Sequence, residues 1–169
     1  MRAKGLLLLG FALFFFMSLS AQKKDGTITR KGQQVPSFQV TSLDGKTVDI
    51  SSLRGKVVLI NFFATWCGPC LREMPVLEKK VWSRFKDKNF TMISIGREHK
   101  LKELLVFKKK KGFTFPIAPD PLREVYSKFA NKYIPRNVIV DQQGKIIYQG
   151  VGFNNKELEE MVGLIQKNL

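Results

Sequence analysis

The feature that most constrains the fold is an apolar run that ends just before the only two cysteines of the chain. Residues 57–64 are Val-Val-Leu-Ile-Asn-Phe-Phe-Ala, and an apolar run of this length next to turn residues predicts a buried strand. Trp66-Cys67-Gly68-Pro69-Cys70 follows. Apolar residues then recur at helical spacing, at Met74, Leu77, Val81 and Phe85. The sequence therefore places both cysteines where a central strand ends and a helix begins.

The first turn of a helix is an unusual environment for a cysteine. The N–H groups there lack intrahelical acceptors and the helix dipole is positive, so both favour a thiolate. We therefore expect the pKa of the Cys67 thiol to lie below its ordinary value of about 8.5. Cys70 is three residues further on, on the same helix face. Pro69 is tolerated in a first turn because its missing N–H has no partner there, and Gly68 leaves room for another protein's sulfur.

Two cysteines three residues apart also occur in metal sites and in structural disulfides. A zinc site needs four ligands, and this chain has two cysteines and one histidine, His99, so we predict no metal. A structural disulfide that closes so short a loop would constrain the unfolded chain little. The position between strand and helix favours a redox-active pair over both alternatives.

Residues 61–70 resemble the active-site region of the thioredoxin superfamily, in which Trp-Cys-Gly-Pro-Cys is the string of thioredoxin itself. Two details are more similar to the TlpA/ResA branch of cell-envelope thiol–disulfide oxidoreductases. Asn61 stands where thioredoxin has a buried Asp, and residues 70–75 match a C-x-x-E-x-P pattern. The resemblance covers about residues 35–169. It implies an α/β, thioredoxin-like fold, with a central mixed β-sheet flanked by helices, an N-terminal β-hairpin and an inserted helix-containing segment.

The resemblance also implies a separate role for each of three active-site residues. Cys67 is expected to attack a substrate disulfide and Cys70 to resolve the mixed disulfide. Glu73 matches the active-site carboxylate of the family and is expected to accept or return a proton. The alternative for Glu73 is an ordinary salt bridge on the helix surface. No cofactor is implied beyond the redox-active disulfide.

A second part of the predicted site lies far along the chain. Tyr133-Ile134-Pro135-Arg136 precedes an apolar strand and resembles the superfamily loop that carries a cis proline. In that family the proline packs against the dithiol, and the backbone of the preceding residue, here Ile134, pairs with the substrate. An ordinary trans proline is the alternative. The residues expected to contact substrate are Trp66, Gly68, Pro69 and Ile134.

The first 34 residues are predicted to lie outside the domain. Arg2 and Lys4 precede an uncharged apolar stretch over 6–17 and then small residues, as in a secretory signal peptide over 1–21. An uncleaved membrane anchor is the alternative, although the apolar stretch is short for a span. Residues 22–34 are polar and without periodicity, which predicts a flexible linker before a thioredoxin-like domain over 35–169. The protein is therefore expected to be exported to the periplasm, where disulfides persist.

Turn and cap signals divide the rest of the domain. A hairpin is predicted around Asp44-Gly45. A strand over 90–96 is expected to run parallel to the first central strand. The turn over 141–144 predicts an antiparallel final strand, which makes the sheet mixed. Asn154 is predicted to cap the last helix.

Residues 97–119 are the predicted insertion, and they contain a helical pattern. His99 lies at the start of this helix and is expected to face solvent or to cap the helix. Asp120-Pro121 then predicts a second helix start, with Leu122 on its buried face.

The formal net charge of +15 raises the question of a nucleic-acid partner. The predicted export signal and the lack of a readout motif argue against one. The run of lysines over 108–111 is expected to form a solvated helix face, with weak attraction to anionic lipid or to an acidic partner as the alternative. We expect a monomer.

The function implied by the resemblance is reduction of disulfides in envelope proteins, with electrons from a membrane thiol transporter of the DsbD/CcdA kind. Apocytochrome c thiols are among the substrates of such families. Three alternatives share the fold: a peroxiredoxin, which needs a P-x-x-x-T-x-x-C setting that Cys67 lacks; a disulfide isomerase, which normally adds a dimerisation domain; and a binding module, which usually loses one cysteine.

Overall fold

A computed structural model describes residues 24–169, so the predicted signal peptide lies outside the described residues. The strands are β1 (Gln39–Thr41), β2 (Thr47–Asp49), β3 (Val57–Phe63), β4 (Phe90–Arg97), β5 (Ile117–Asp120), β6 (Arg136–Val140) and β7 (Ile146–Val151). The helices are α1 (Gly68–Leu77), α2 (Ser83–Phe85), α3 (Leu101–Lys111), α4 (Tyr126–Phe129) and α5 (Asn155–Asn168). A π-helical turn over Glu78–Trp82 joins α1 to α2, and a 3-10 turn over Ile50–Leu53 follows β2.

The central sheet has five strands in the order β5-β4-β3-β6-β7. β3 and β5 both pair parallel with β4, whereas β6 pairs antiparallel with β3 and β7. This confirms the predicted mixed sheet and the parallel pair that brackets the first helix. β1 and β2 form the predicted separate hairpin, which turns through Asp44-Gly45 with Gly45 at a φ of +79°.

The sheet separates two apolar layers, and β3 contributes to both because its side chains alternate between its faces. One face packs against the helical stripe predicted from the sequence: Met74, Leu77, Val81 and Phe85 are fully buried there. The other face packs against the hairpin and α4, where Phe62 meets Tyr126 and Phe129 at ring-centroid distances of 5.5 and 5.2 Å. All seven residues of β3 are buried.

Residues 24–34 lie against the domain, so the prediction of a flexible linker is wrong for this part of the chain. Thr27 forms a bridge with Ala130, and Gln34 forms one with Lys145. Thr27 and Thr29 are buried despite their polar side chains. The segment is held by backbone pairing with distant loops, which hydrophobic periodicity does not reveal.

The helix predicted to begin at Pro121 begins later, and Leu122 is 77% exposed instead of buried. Arg123 has a φ of +61°, which interrupts helical geometry after the end of β5. The Asp120 carboxylate still caps α4, because it accepts hydrogen bonds from the N–H groups of Val125 (3.2 Å) and Tyr126 (2.8 Å).

The inserted segment forms α3 and the edge strand β5, of which only the helix was predicted. Leu104 and Phe107 bury one side of α3, and Gly112 ends the helix at a φ of +71°. In the described part of the chain, no helix combines the length and apolarity needed to cross a membrane.

Candidate active site

Cys67 and Cys70 form a disulfide at the start of α1, with their Cα atoms 5.3 Å apart. Cys67 is the N-cap of the helix: its sulfur accepts a hydrogen bond from the Cys70 N–H at 3.2 Å, and its carbonyl accepts one from the Leu71 N–H at 3.0 Å. Pro69 lies in the first helical turn. The sulfur of Cys67 is therefore held where unpaired N–H groups favour negative charge.

The loop before β6 brings the second part of the site to this sulfur. The Ile134–Pro135 peptide bond is cis, as the resemblance implies. The Cys67 Sγ lies 3.8 Å from the Ile134 carbonyl oxygen, and the Pro135 carbonyl accepts a hydrogen bond from the Gly152 N–H at 2.9 Å. The backbone next to the disulfide is thus held in place by a hydrogen bond from Gly152, the residue that follows β7.

Glu73, on α1, is fully buried, so the alternative of a surface salt bridge is wrong. Its carboxylate accepts hydrogen bonds from the Asn61 Nδ2 at 3.0 Å and the Asn137 Nδ2 at 2.5 Å. Asn61 pairs in register with both Asn137 and Ser94, so these polar groups lie at one level of three adjacent strands. The Ser94 hydroxyl donates to the Asn61 Oδ1 at 2.5 Å, so Ser94 belongs to the same hydrogen-bond network as Glu73.

The Glu73 carboxyl group has an unusual proton affinity. Burial raises its pKa from 4.5 to about 7, against the opposing effect of the hydrogen bonds from Asn137 and Asn61. A carboxyl group with a pKa near neutrality can both hold and release a proton under ordinary conditions. It lies three residues, about one helical turn, beyond Cys70.

His99 is buried, which contradicts the prediction that it faces solvent. Its Nε2 accepts a hydrogen bond from the Thr65 N–H at 3.0 Å, and its Nδ1 lies 3.2 Å from the Glu103 carboxylate. The ring therefore connects the start of α3 to the loop that precedes Cys67. These contacts hold that loop against the start of α3.

A groove of about 430 Å³ opens beside the disulfide. It is lined by residues 66–69, residues 133–134 and Arg97. Trp66 and Tyr133 are 61% and 57% exposed, which is unusual for large aromatic side chains. All four residues predicted to contact substrate line this groove, and Cys67 lines it whereas Cys70 does not. Among residues 24–169, no group of three or more His, Cys, Asp or Glu side chains is arranged to hold a metal ion.

The fold and the disulfide at the helix start together define a thioredoxin-like thiol–disulfide oxidoreductase. The chain belongs to the Redoxin family, whose model matches residues 30–165.

Relatives of known name agree with this assignment. The thiol-disulfide oxidoreductase ResA of Bacillus thuringiensis (strain Al Hakam) is 30% identical over 136 residues, 80% of this chain and 77% of the relative. The thioredoxin-like protein YneN of Bacillus subtilis is 31% identical over 94% of this chain and 93% of its own. The solution structure of a candidate protein disulfide isomerase from Bacteroides thetaiotaomicron is similar at a TM-score of 0.82 and 41% identity, covering 85% and 92% of the two chains.

Several residues of the site were not predicted from the sequence. Asn137 and Ser94 are polar positions in otherwise buried strands, which is a signal, but their contact with Asn61 depends on strand register. Arg97 and Tyr133 reach the groove from a strand end and from a loop. Tyr133 belongs to the loop motif before Pro135, although no role was predicted for it, and no local pattern points to Arg97.

Proposed function

We propose that this enzyme reduces disulfides of envelope proteins. The observation that carries the proposal is the position of the Cys67–Cys70 disulfide at the start of α1, with Cys67 on an open groove and Cys70 fully buried. The Cys-Gly-Pro-Cys string resembles that of thioredoxin, whose reduction potential is about −270 mV, and this supports the reducing direction.

The proposed reaction uses the reduced dithiol. The Cys67 thiolate attacks one sulfur of the substrate disulfide, forms a mixed disulfide and releases the other substrate sulfur as a thiolate, which takes up a proton. The Cys70 sulfur, after losing its proton, attacks the Cys67 sulfur. This forms the Cys67–Cys70 disulfide and releases the second substrate thiol, so two electrons pass from enzyme to substrate. The Ile134 backbone and Pro135 hold the substrate chain beside Cys67.

Glu73 is the group we propose for the Cys70 proton. It lies one turn beyond Cys70, and its pKa of about 7 lets it change protonation state near neutrality. In Glu73→Gln we expect the pH dependence of the cysteine titration and the reduction potential both to change. A variant that matches the wild type in both measurements would leave Glu73 without a proton role.

A trapping experiment tests the order of attack. Cys70→Ser should accumulate mixed disulfides with substrate proteins, because nothing resolves them, whereas Cys67→Ser should accumulate none. The purified wild type should also cycle between dithiol and disulfide in a glutathione buffer. Recovery of partners with Cys67→Ser alone would reverse the assignment of the two cysteines, and a chain that does not cycle would refute the activity.

The setting of the reaction is also a proposal. We infer export to the periplasm by a cleaved signal peptide over residues 1–21 and electrons from a membrane thiol transporter of the DsbD/CcdA kind. The substrates include apocytochrome c, whose disulfide would be reduced to the thiols that bind haem. Cell fractionation with N-terminal sequencing of the mature protein tests the export. Loss of the transporter should leave Cys67–Cys70 oxidised in cells, and an unchanged redox state would refute that donor.

Disulfide isomerisation is a second candidate, because the similar structure from Bacteroides thetaiotaomicron is named as a candidate isomerase. Refolding of a scrambled disulfide substrate distinguishes the two. An isomerase restores native pairing at catalytic rates, whereas a reductase leaves free thiols. A peroxide-consumption assay separates both from a peroxiredoxin.

A further inference from the structure

The groove beside the disulfide contains a guanidinium group held between aromatic rings. The Arg97 Cζ lies 5.6 Å from the ring centroid of Trp66 and 5.0 Å from that of Tyr126. Such contacts keep the cation in a fixed place. Among the described residues, Arg97 is the only charged one that lines the groove.

The charges around Arg97 do not balance. Glu98 contacts two guanidinium groups, that of Arg97 at 3.1 Å and that of Arg123 at 3.4 Å. One carboxylate therefore faces two cations, and a positive charge remains. The Nε atoms of Arg97 and Arg123 are both buried without a hydrogen-bond acceptor in the described part of the chain. An unpaired buried donor is unfavourable, so the guanidinium groups of this cluster are not fully paired within the described part of the chain.

The backbone around the cluster is held in an unfavourable conformation. Within residues 24–169, the non-glycine residues with positive φ are Glu98 (65°), Arg123 (61°) and Tyr133 (66°). The Tyr126 hydroxyl donates to the Tyr133 carbonyl at 2.8 Å, and the Arg123 Nη2 donates to the Asn131 carbonyl at 2.8 Å. Strained residues of this kind are retained where the surrounding contacts fix a functional geometry. All three belong to the wall of the groove or to its ion cluster.

We propose that Arg97 selects substrates in which an Asp or Glu lies next to the attacked cysteine. This inference rests on the proposed reductase function and names its substrate class. When the substrate disulfide reaches Cys67, the neighbouring side chain enters the groove, and its carboxylate pairs with the Arg97 guanidinium. The exposed rings of Trp66 and Tyr133 reduce solvent around that pair, which strengthens it. The net positive charge of the chain adds attraction at longer range.

Disulfide-linked dimers of short, end-capped peptides test this directly. Each peptide has one cysteine, with Glu, Gln or Lys directly before it in one series and directly after it in the other. The reduced enzyme converts one dimer into two peptide thiols and becomes the Cys67–Cys70 disulfide, so a single turnover gives a rate constant by chemical quench. Reduction of the same dimers by dithiothreitol gives their intrinsic reactivity, by which the enzyme rates are divided.

In at least one series, we expect the wild type to prefer Glu over Gln about tenfold, equivalent to about 1.4 kcal/mol, and to react most slowly with Lys. Arg97→Gln should lose this preference while still reducing the Gln dimer, and Arg97→Lys should keep part of it. Arg84→Gln removes an arginine on α2, away from the groove, and should keep all of it. Because the preference is a ratio within one protein, a general effect of Arg97 on Cys67 reactivity cancels.

Equal normalised rates with Glu and Gln in both series would overturn the inference. So would an Arg97→Gln variant that retains the preference. Both results leave the reductase function intact. A wild type that reduces none of the dimers, although dithiothreitol reduces them all, overturns the proposed function together with the inference.

Discussion

Glu73 combines full burial with two amide donors, and the two effects oppose each other. The N–H groups of Asn61 and Asn137 favour the carboxylate, whereas removal from water favours the neutral acid. Burial has the larger effect, since the pKa is raised to about 7. The same balance that suits Glu73 to proton transfer makes the folded state sensitive to pH.

The sign of this sensitivity follows from the two states of the chain. In the unfolded state Glu73 loses its proton near pH 4.5, whereas in the folded state it keeps it until about pH 7. The folded state binds more protons between these values, so the free energy of unfolding falls as the pH rises through this window and is level above it. The contribution amounts to about 3 kcal/mol.

Glu73→Gln should remove this pH dependence. Glutamine is neutral at every pH and resembles the protonated acid in shape. Its amide nitrogen cannot accept one of the hydrogen bonds that Asn61 and Asn137 donate, but this loss is the same at every pH. Urea unfolding of the oxidised protein at pH 5 and pH 8 should therefore show a loss of stability for the wild type that is about 2.5 kcal/mol larger than for the variant. Glu159→Gln, which changes an exposed carboxylate, should behave as the wild type. Parallel stability curves for Glu73→Gln and the wild type would contradict the prediction.

At the scale of the residue, the sequence predicted the reactive groups better than it predicted the residues that surround them. Cys67, Cys70 and Glu73 are identified by short spacings along one helix, which a sequence displays directly. The partners of Glu73 come from β3 and β6, and their meeting depends on a register that no single sequence reveals. The burial of His99 was missed for the same reason, since its acceptor role depends on Thr65, 34 residues away.

At the scale of the element, His99 connects the inserted helix to the loop that precedes the active-site cysteines. The ring accepts from the Thr65 N–H, two residues before Cys67, and contacts the Glu103 carboxylate in the first turn of α3. Glu103 also accepts a hydrogen bond from the Lys100 N–H at 3.0 Å, which anchors the helix start. A chain of hydrogen bonds thus connects the loop before Cys67 to α3.

His99→Ala should break this connection. The Thr65 N–H would lose its acceptor, and the free energy of unfolding should fall by about 1–3 kcal/mol. Hydrogen exchange at the Thr65 amide should accelerate by more than the global loss of stability explains. Glu103→Gln keeps an oxygen that can accept from the ring, so it is the matched control and should change both quantities little. Equal effects of the two substitutions would show that His99 does not hold the loop.

Elements with strong local signals were predicted, and elements set by tertiary contacts were not. β3, β4, α1 and α5 have apolar periodicity and cap residues, and the structure confirms each. α4 was predicted to begin too early because Asp120-Pro121 resembles a helix start. The Asp120 carboxylate instead accepts a hydrogen bond from the N–H of Val125, five residues further on. β5 lies at the sheet edge, and it forms a strand because it pairs with β4.

At the scale of the whole molecule, the first described residues brace the loop that carries the cis proline. The Ile28 N–H donates to the Phe129 carbonyl at 2.8 Å, and the Asn131 N–H donates to the Gly26 carbonyl at 3.0 Å. Arg136, the residue after Pro135, is 3% exposed. Its guanidinium donates to the Thr27 hydroxyl at 2.8 Å, to the Lys132 carbonyl at 2.9 Å and to the carbonyl of Asp25. The segment was predicted to be a linker because its composition is polar. Hydrogen bonds of backbone and hydroxyl groups hold it, and such bonds leave no apolar pattern in the sequence.

Arg136→Met should release this brace while it keeps an unbranched side chain that fills part of the same space. Loss of several charge-assisted hydrogen bonds should lower the free energy of unfolding by about 2–4 kcal/mol. Because residues 24–34 would then detach more readily than the core unfolds, tryptic cleavage after Arg30 and Lys31 should accelerate, roughly tenfold for each 1.4 kcal/mol of lost local stability. Arg84→Met removes an exposed arginine from α2 and should leave the cleavage rate unchanged. If Arg136→Met lowers stability but cleavage at these two sites stays at the wild-type rate, Arg136 supports the core alone, and the N-terminal segment is held by its backbone pairing with residues 129–131.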